Sequence, residues 1–249
     1  MKKQFFIFVL MVFFGITDLC AQERAADPYR NLYHVYRKGK YEEALKGAEA
    51  ALAEKPDDLK LHYLKAKICL ALKKWDQAVR EAENILNKDG NFKKAHVILG
   101  RAYLGKENYK EALKHFEEAV KAGIDFPRVY HDMAVIYAYG KDYESAIREA
   151  KKAVAKKPDF TDGFYALGRF YAETERYGEA IPYFEKALDL DPDHVKAMEF
   201  LALSYLETGN KAKARDLARE VLEDEPGSTM AVFVLRKAQN KNRKSAGLD

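Results

Sequence analysis

Apolar residues recur along this chain with a helical period nested inside a longer one. Residues 177–192 read YGEAIPYFEKALDLDP. Ala180, Ile181, Phe184, Ala187 and Leu188 share one face at helical spacing, and Asp-Pro closes the segment. That face is rich in alanine, which suits a helix pressed closely against another. Pro182 sits inside the pattern and predicts a local bend. The segment recurs in steps of 34 residues. Tyr41, Trp75, Tyr109, Tyr143, Tyr177 and Lys211 form one column, and three residues on stand Ala44, Ala78, Ala112, Ala146, Ala180 and Ala214. Leu32, Ala66, Gly100, Ala134, Gly168 and Ala202 form a column in which five of six side chains are small. Val35, Cys69, Tyr103, Tyr137, Tyr171 and Tyr205 form another, and Ala51, Ile85, Ala119, Ala153, Ala187 and Val221 a further one. Each unit ends at Pro56, Gly90, Ile124, Pro158, Pro192 or Pro226.

A pair of short helices cannot bury its apolar faces alone, so such units stack and share a core. Small residues belong where helix axes approach most closely, and tyrosines in the wider gaps. At Ile124 the stop comes from GIDFP, where Gly123 ends one helix and Pro127 opens the next. Leu32 departs from its small column, as suits a terminal unit. The pattern predicts an all-α chain of six helical hairpins over 25–58, 59–92, 93–126, 127–160, 161–194 and 195–228. A capping helix over 229–241 and a disordered tail over 242–249 follow. Val232 and Leu235 are expected on the inner face of that last helix, with Arg236, Lys237 and Lys241 outside.

The stretch ALGRFYAETERYGEAIPYFEKALDLDP, Ala166 to Pro192, resembles the tetratricopeptide repeat, a 34-residue helix–turn–helix unit. Gly168, Tyr171, Tyr177, Ala180, Phe184, Ala187 and Pro192 carry the likeness. The resemblance implies a right-handed superhelical solenoid whose first helices line a concave groove. It places Tyr29, Arg30, Tyr33, Tyr36, Arg37, Lys60, Tyr63, Lys67, Lys94 and Arg101 on that groove in the first three repeats. Arg128, His131, Asp132, Tyr139, Asp162, Tyr165, Arg169 and Glu173 follow in the fourth and fifth, and Lys196, Glu199, Phe200 and Glu207 in the sixth.

The N-terminus obeys a different rule. MKKQ is basic, Phe5 to Ile16 is an apolar run of 12 residues, and TDLCAQ follows. Twelve helical residues span about 18 Å, short of a bilayer core of about 30 Å. The pattern is that of a secretory signal peptide over 1–21 with cleavage after Ala21. Acylation of Cys20 is the rival reading, giving a membrane-anchored lipoprotein. Cleavage leaves Cys69 as the one remaining cysteine, so no intramolecular disulfide forms.

Charge then shapes the functional reading. The 249 residues hold 43 basic and 39 acidic side chains, a balance too even to point to nucleic acid. The groove positions are polarised, however. The first three repeats supply Arg30, Arg37, Lys60, Lys67, Lys94 and Arg101 there without an acid. Tyrosine and arginine are the residue types that carry binding energy at interfaces. This predicts an exported, non-catalytic scaffold or adaptor whose Tyr/Arg/Lys groove holds an acidic partner peptide. Two alternatives remain. A signal sequence before six such repeats also resembles pilotin lipoproteins that assist pilus secretins, and a tyrosine-rich groove suits glycan. Nothing points to a cofactor, a metal or a catalytic residue. His62 and His96 lie 34 apart and so form a packing column, and Cys69 stands in a buried one. No phosphate-binding glycine loop, Cys-x-x-Cys or Gly-x-Ser-x-Gly occurs.

Overall fold

The computed structural model describes residues 28–239, which form thirteen α-helices and no strand. The signal segment over 1–21 with Cys20, Lys241 and the tail over 242–249 lie outside the described residues. The chain divides into two compact units, Met1–Gly123 and Ile124–Asp249. The first holds α1 (Pro28–Arg37), α2 (Tyr41–Glu54), α3 (Leu59–Ala71), α4 (Trp75–Lys88), α5 (Lys94–Gly105) and α6 (Tyr109–Lys121). The second holds α7 (Pro127–Tyr139), α8 (Tyr143–Lys156), α9 (Thr161–Glu173), α10 (Tyr177–Leu190), α11 (Val195–Glu207), α12 (Lys211–Asp224) and α13 (Thr229–Gln239). In each unit the helices pair into antiparallel hairpins that stack on their sequence neighbours.

The turn inside each hairpin is set by one left-handed residue. Gly39, Lys73, Glu107, Lys141, Glu175 and Gly209 all have positive φ, between 56° and 86°. The next amide donates back across the turn: Lys74 to the Cys69 carbonyl, Asn108 to Tyr103, Arg176 to Tyr171 and Asn210 to Tyr205, at 2.7 to 2.9 Å. This closes the helix C-terminus by reaching orphan carbonyls of its last turn. Four of the six turns run without glycine, which costs an L-residue about 1–2 kcal/mol. The second helix then starts on a cap in several hairpins. Asn108, Asp142 and Asn210 accept from the amides of Glu111, Ser145 and Lys213. Asp58 caps α3, and Pro127 occupies the first turn of α7.

Packing within a hairpin follows one size rule. The column Ala44, Ala78, Ala112, Ala146, Ala180 and Ala214 is fully buried. Gly100 faces Phe116 and Gly168 faces Phe184; a Cβ on either glycine would lie 2.6 Å from the ring. Where the first helix carries Ala66, Ala134 or Ala202, the second carries Ala82, Ala150 or Ala218 in the register of those rings. Leu32, the large residue in the small column, is seated against Gly47, which has no side chain to oppose it. Between hairpins the largest ring, Trp75, packs on Gly105. Volume lost on one helix is returned by the other, as close packing demands.

One local expectation, on the last helix, resolves differently. Pro182 is exposed within α10, whose span runs from Tyr177 to Leu190. The carbonyl that loses its intrahelical donor belongs to Gly178, which is also exposed. On α13 the inward residues are Ala231 and Val234, with Leu235 half-buried, while Val232 is 50% exposed and Phe233 47%. The expected inward Val232 is therefore corrected. His62, in the same register of the second hairpin, meets Glu81 of its own second helix. The helix α13 has no such partner among the described residues.

Two substitutions test these rules. Gly168→Ala drives a methyl into the buried Phe184 ring, an overpacking cost of about 1–3 kcal/mol. That outweighs the roughly 0.5–1 kcal/mol gained by removing a helical glycine. The thermal midpoint should fall by several degrees, and a rise contradicts the packing rule. Glu107→Gly relieves a left-handed residue and should raise the midpoint, while Gly209→Lys should lower it by a similar step. Equal midpoints would show the turn to be unstrained.

Candidate functional site

In the first unit, helical spacing lines up Tyr29, Tyr33 and Tyr36 along α1. Tyr29 and Tyr33 stack with centroids 6.0 Å apart, and Tyr33 and Tyr36 lie at 6.1 Å. From α3, the Lys67 ammonium enters this cluster, 5.1 Å from the Tyr33 centroid, 5.0 Å from Tyr36 and 5.9 Å from Tyr63. The ring faces attract the cation. No carboxylate lies within ion-pair distance of Lys67 or Lys94 among the described residues. Burial, then Arg101 and Lys94, pull the Lys67 pKa below its usual value. Burial raises the Tyr63 and Tyr36 phenols, with neighbouring tyrosines adding to it. The outcome is a half-buried tyrosine cluster around one lysine, with a second lysine and an arginine in electrostatic range. Arg30, Arg37 and Lys60 are exposed outside the ring cluster. Tyr41 and Phe92 join it at 5.6 Å from Tyr36 and Tyr63. Tyr41 was legible only as a repeat marker, being the first residue of a second helix.

The second unit arranges its residues differently. Arg128 reaches Asp162 at 3.1 Å and Asp132 at 3.4 Å, so its charge is met within the unit. His131, Tyr139, Tyr165 and Arg169 line a cavity of about 350 Å³ with Asp162. Val135, Ala138, Tyr143, Ala166 and Phe170 complete it, and none of these was expected there. His131 Nδ1 is buried without a hydrogen bond, its nearest charged oxygen being Asp132 Oδ1 at 3.6 Å. Farther along, Glu199 is buried and bound by Lys196 at 2.8 Å and by the Ser228 hydroxyl. Phe200 packs on Phe184 and Tyr165. Glu173 and Glu207 are exposed. Of the five acids on groove positions in this unit, Asp132, Asp162 and Glu199 thus meet a cation within it.

His62, His96, His115 and Cys69 serve packing. His62 Nδ1 meets Glu81 at 2.6 Å and Nε2 meets the Pro56 carbonyl at 2.9 Å. Lys65 bridges the same glutamate at 2.8 Å, and these partners outweigh burial to hold the Glu81 carboxyl below its usual range. His96 and His115 place their Nδ1 atoms 3.3 Å apart, and Tyr103 stacks on His115. Burial lowers both imidazole pKa values, and for His115 the neighbouring His96 lowers it further. Cys69 is fully buried, and burial pushes its thiol up to about 11, away from nucleophilic use. Among the described residues no three His, Cys, Asp or Glu side chains converge as for a metal ion, and no helix is long and apolar enough to cross a membrane.

Three family models, each of the tetratricopeptide repeat, match residues 36–99, 93–123, and 131–195 with 165–229. The chain belongs to the tetratricopeptide repeat family. No curated protein sequence matches it. Among solved structures, PilF of Pseudomonas aeruginosa is 15% identical with a TM-score of 0.75, over 87% of this chain and 98% of that one. PilW, a type IV pilus biogenesis factor, is 19% identical with a TM-score of 0.74, over 84% and 96%. YrrB, a tetratricopeptide protein with an unusual peptide-binding site, is 21% identical with a TM-score of 0.65, over 76% and 97%. At these identities the likeness is one of fold: an all-α tetratricopeptide solenoid, the type that binds protein or peptide partners.

The histidine pair generates a pH test. Its folded pKa values lie below the unfolded value of about 6.5. Its contribution is whole above that value and is lost as pH falls through it toward the lowered folded pKa, because the unfolded chain then binds more protons. The urea midpoint should drop between about pH 7.5 and 5. His96→Gln with His115→Gln should shrink that drop. An identical drop in the variant would contradict the assignment.

Proposed function

We propose that this tetratricopeptide protein is an exported, non-catalytic scaffold of the cell envelope that captures an acidic segment of a partner protein. The single observation that carries the reading is the tyrosine cluster around Lys67, with Lys94 and Arg101 in range. Tyrosine faces supply contact area at low entropic cost, and Lys67 with Lys94 in electrostatic range supplies attraction for carboxylates. Lys67 is already half-desolvated by its rings, so a ligand carboxylate meets it with less water left to displace. Export rests on the basic start, the 12-residue apolar run and the small residue at Ala21. The repeats hold the partner and the partner supplies any chemistry.

A second reading is favoured by the likeness over most of this chain to PilF and to PilW, the latter a type IV pilus biogenesis factor. In it the chain is a pilotin-like factor anchored through an acylated Cys20. Glycan binding by the tyrosines is the third arm of the test.

Lys67→Glu with Lys94→Glu and Arg101→Glu should lower the affinity for a labelled glutamate-rich peptide by at least about tenfold, with helicity unchanged. Binding to the natural sequence should weaken steeply toward about 0.5 M salt. Unchanged affinity in the variant, or salt-insensitive retention on peptidoglycan in place of peptide binding, would sink the proposal. Mass spectrometry of the mature chain decides between a Gln22 start and an acylated Cys20.

A further inference from the structure

We infer that the cavity of the second unit is a separate recognition site, which takes a large aromatic side chain of a partner peptide and pairs Arg169 with a carboxylate beside it. The inference deepens the scaffold reading in that a partner chain is the ligand. It does not depend on the Lys67 cluster.

The space has a cause in the sequence. Ala138 stands in a register that holds Leu70, Leu104 and Leu206, with Tyr36 and Ala172. Ala166 stands in the register of Leu64, Ile98 and Phe200, with Arg30 and Asp132. At two positions where three other first helices supply a large apolar side chain, this hairpin pair supplies a methyl. Both methyls line the cavity, so an apolar side chain suits it. Its floor agrees: Val135, Ala138, Ala166 and Phe170 are apolar, and Tyr139, Tyr143 and Tyr165 add three rings. About 350 Å³ sits at the lower end of ligand pockets, which run from roughly 300 to 1,000 Å³. That is room for one bulky side chain and little more. Tyr139 is 64% exposed, a large ring held at the surface beside the cavity.

Charge complementarity fixes the second half of the ligand. Arg169 is half-buried, and no carboxylate of the chain lies within ion-pair distance of it among the described residues. Its neighbour is the Tyr165 phenol. Asp162, the acid that lines the same cavity, is held by Arg128 at 3.1 Å. The lining therefore presents one guanidinium that meets a phenol and, among the described residues, no carboxylate, a group suited to carboxylates through its paired N–H donors. An aromatic residue next to Asp or Glu satisfies both features. The first unit differs in kind, with Lys67 set among tyrosines and hence recognition by charge more than by shape.

The test uses the full chain and short peptides blocked at both ends, with a central Trp-Asp, Ala-Asp or Trp-Asn step, read by fluorescence anisotropy. Trp-Asp should bind, Ala-Asp at least about tenfold more weakly, and Trp-Asn about three- to tenfold more weakly. Ala138→Leu restores the side chain of the neighbouring registers and should abolish binding without lowering the thermal midpoint. Arg169→Gln, at a half-exposed position, should keep the preference for Trp over Ala and erase that for Asp over Asn. The triple glutamate variant of the first unit should bind Trp-Asp as the natural sequence does, so the two sites fail independently. Wild-type affinity in Ala138→Leu, no saturation of the natural sequence by about 1 mM peptide, or equal affinity for free indoleacetate would each overturn the inference, the last by making the cavity a small-molecule site.

Discussion

Everything in this chain rests on the distance at which two short helices of a hairpin meet. That distance is held by a fixed volume shared across the contact. A glycine on the first helix is answered by a buried phenylalanine on the second, as at Gly100 with Phe116 and Gly168 with Phe184. An alanine is answered by an alanine in register, and Leu32 by Gly47. Either pairing leaves the buried alanine column at zero exposure. Because each hairpin is closed this way, stacking on neighbours needs no long-range pairing and can proceed locally along each unit.

The candidate sites are consequences of the same register. Residues not needed for the helix contact return every 34 positions on first helices, and their chemistry is free to change from hairpin to hairpin. In the first unit those positions gather tyrosines about Lys67. In the second they set Arg128 against Asp162, and leave a cavity where Ala138 and Ala166 replace larger side chains. Charge that looks available in a linear reading is partly spent inside the second unit, on the Arg128 pairs and on Glu199 with Lys196 and Ser228. The first unit leaves Lys67 and Lys94 without such partners among the described residues.

Much of the fold was legible because its determinants are periodic. Columns such as Ala44 to Ala214 mark the helix contacts, and the closing prolines Pro56, Pro158, Pro192 and Pro226 mark helix ends. The tyrosines of α1 could be grouped through the resemblance to the repeat family. Other features could not be read this way. Left-handed turns at Lys73, Glu107, Lys141 and Glu175 carry no glycine to announce them. The insertion of Lys67 between rings depends on side-chain paths across two helices. The Arg128–Asp162 pair spans one full 34-residue step, so both ends read as independent groove charges. The cavity was hidden because an absent side chain leaves no signal at one position and appears only when registers are compared. Val232 followed the phase of earlier first helices, but among the described residues no second helix covers that phase after α13.

A double-mutant cycle at Ala134 and Ala150 measures the shared-volume constraint directly. Ala150→Phe alone overfills an alanine–alanine hairpin and should cost about 1–3 kcal/mol. Adding Ala134→Gly recreates the pairing of Gly168 with Phe184, and should recover at least half of that loss despite the helical penalty of glycine. A coupling of about 1 kcal/mol or more is the predicted result. Losses that simply add would mean that the two positions do not share one space, and the account of how these helices are held together would be contradicted.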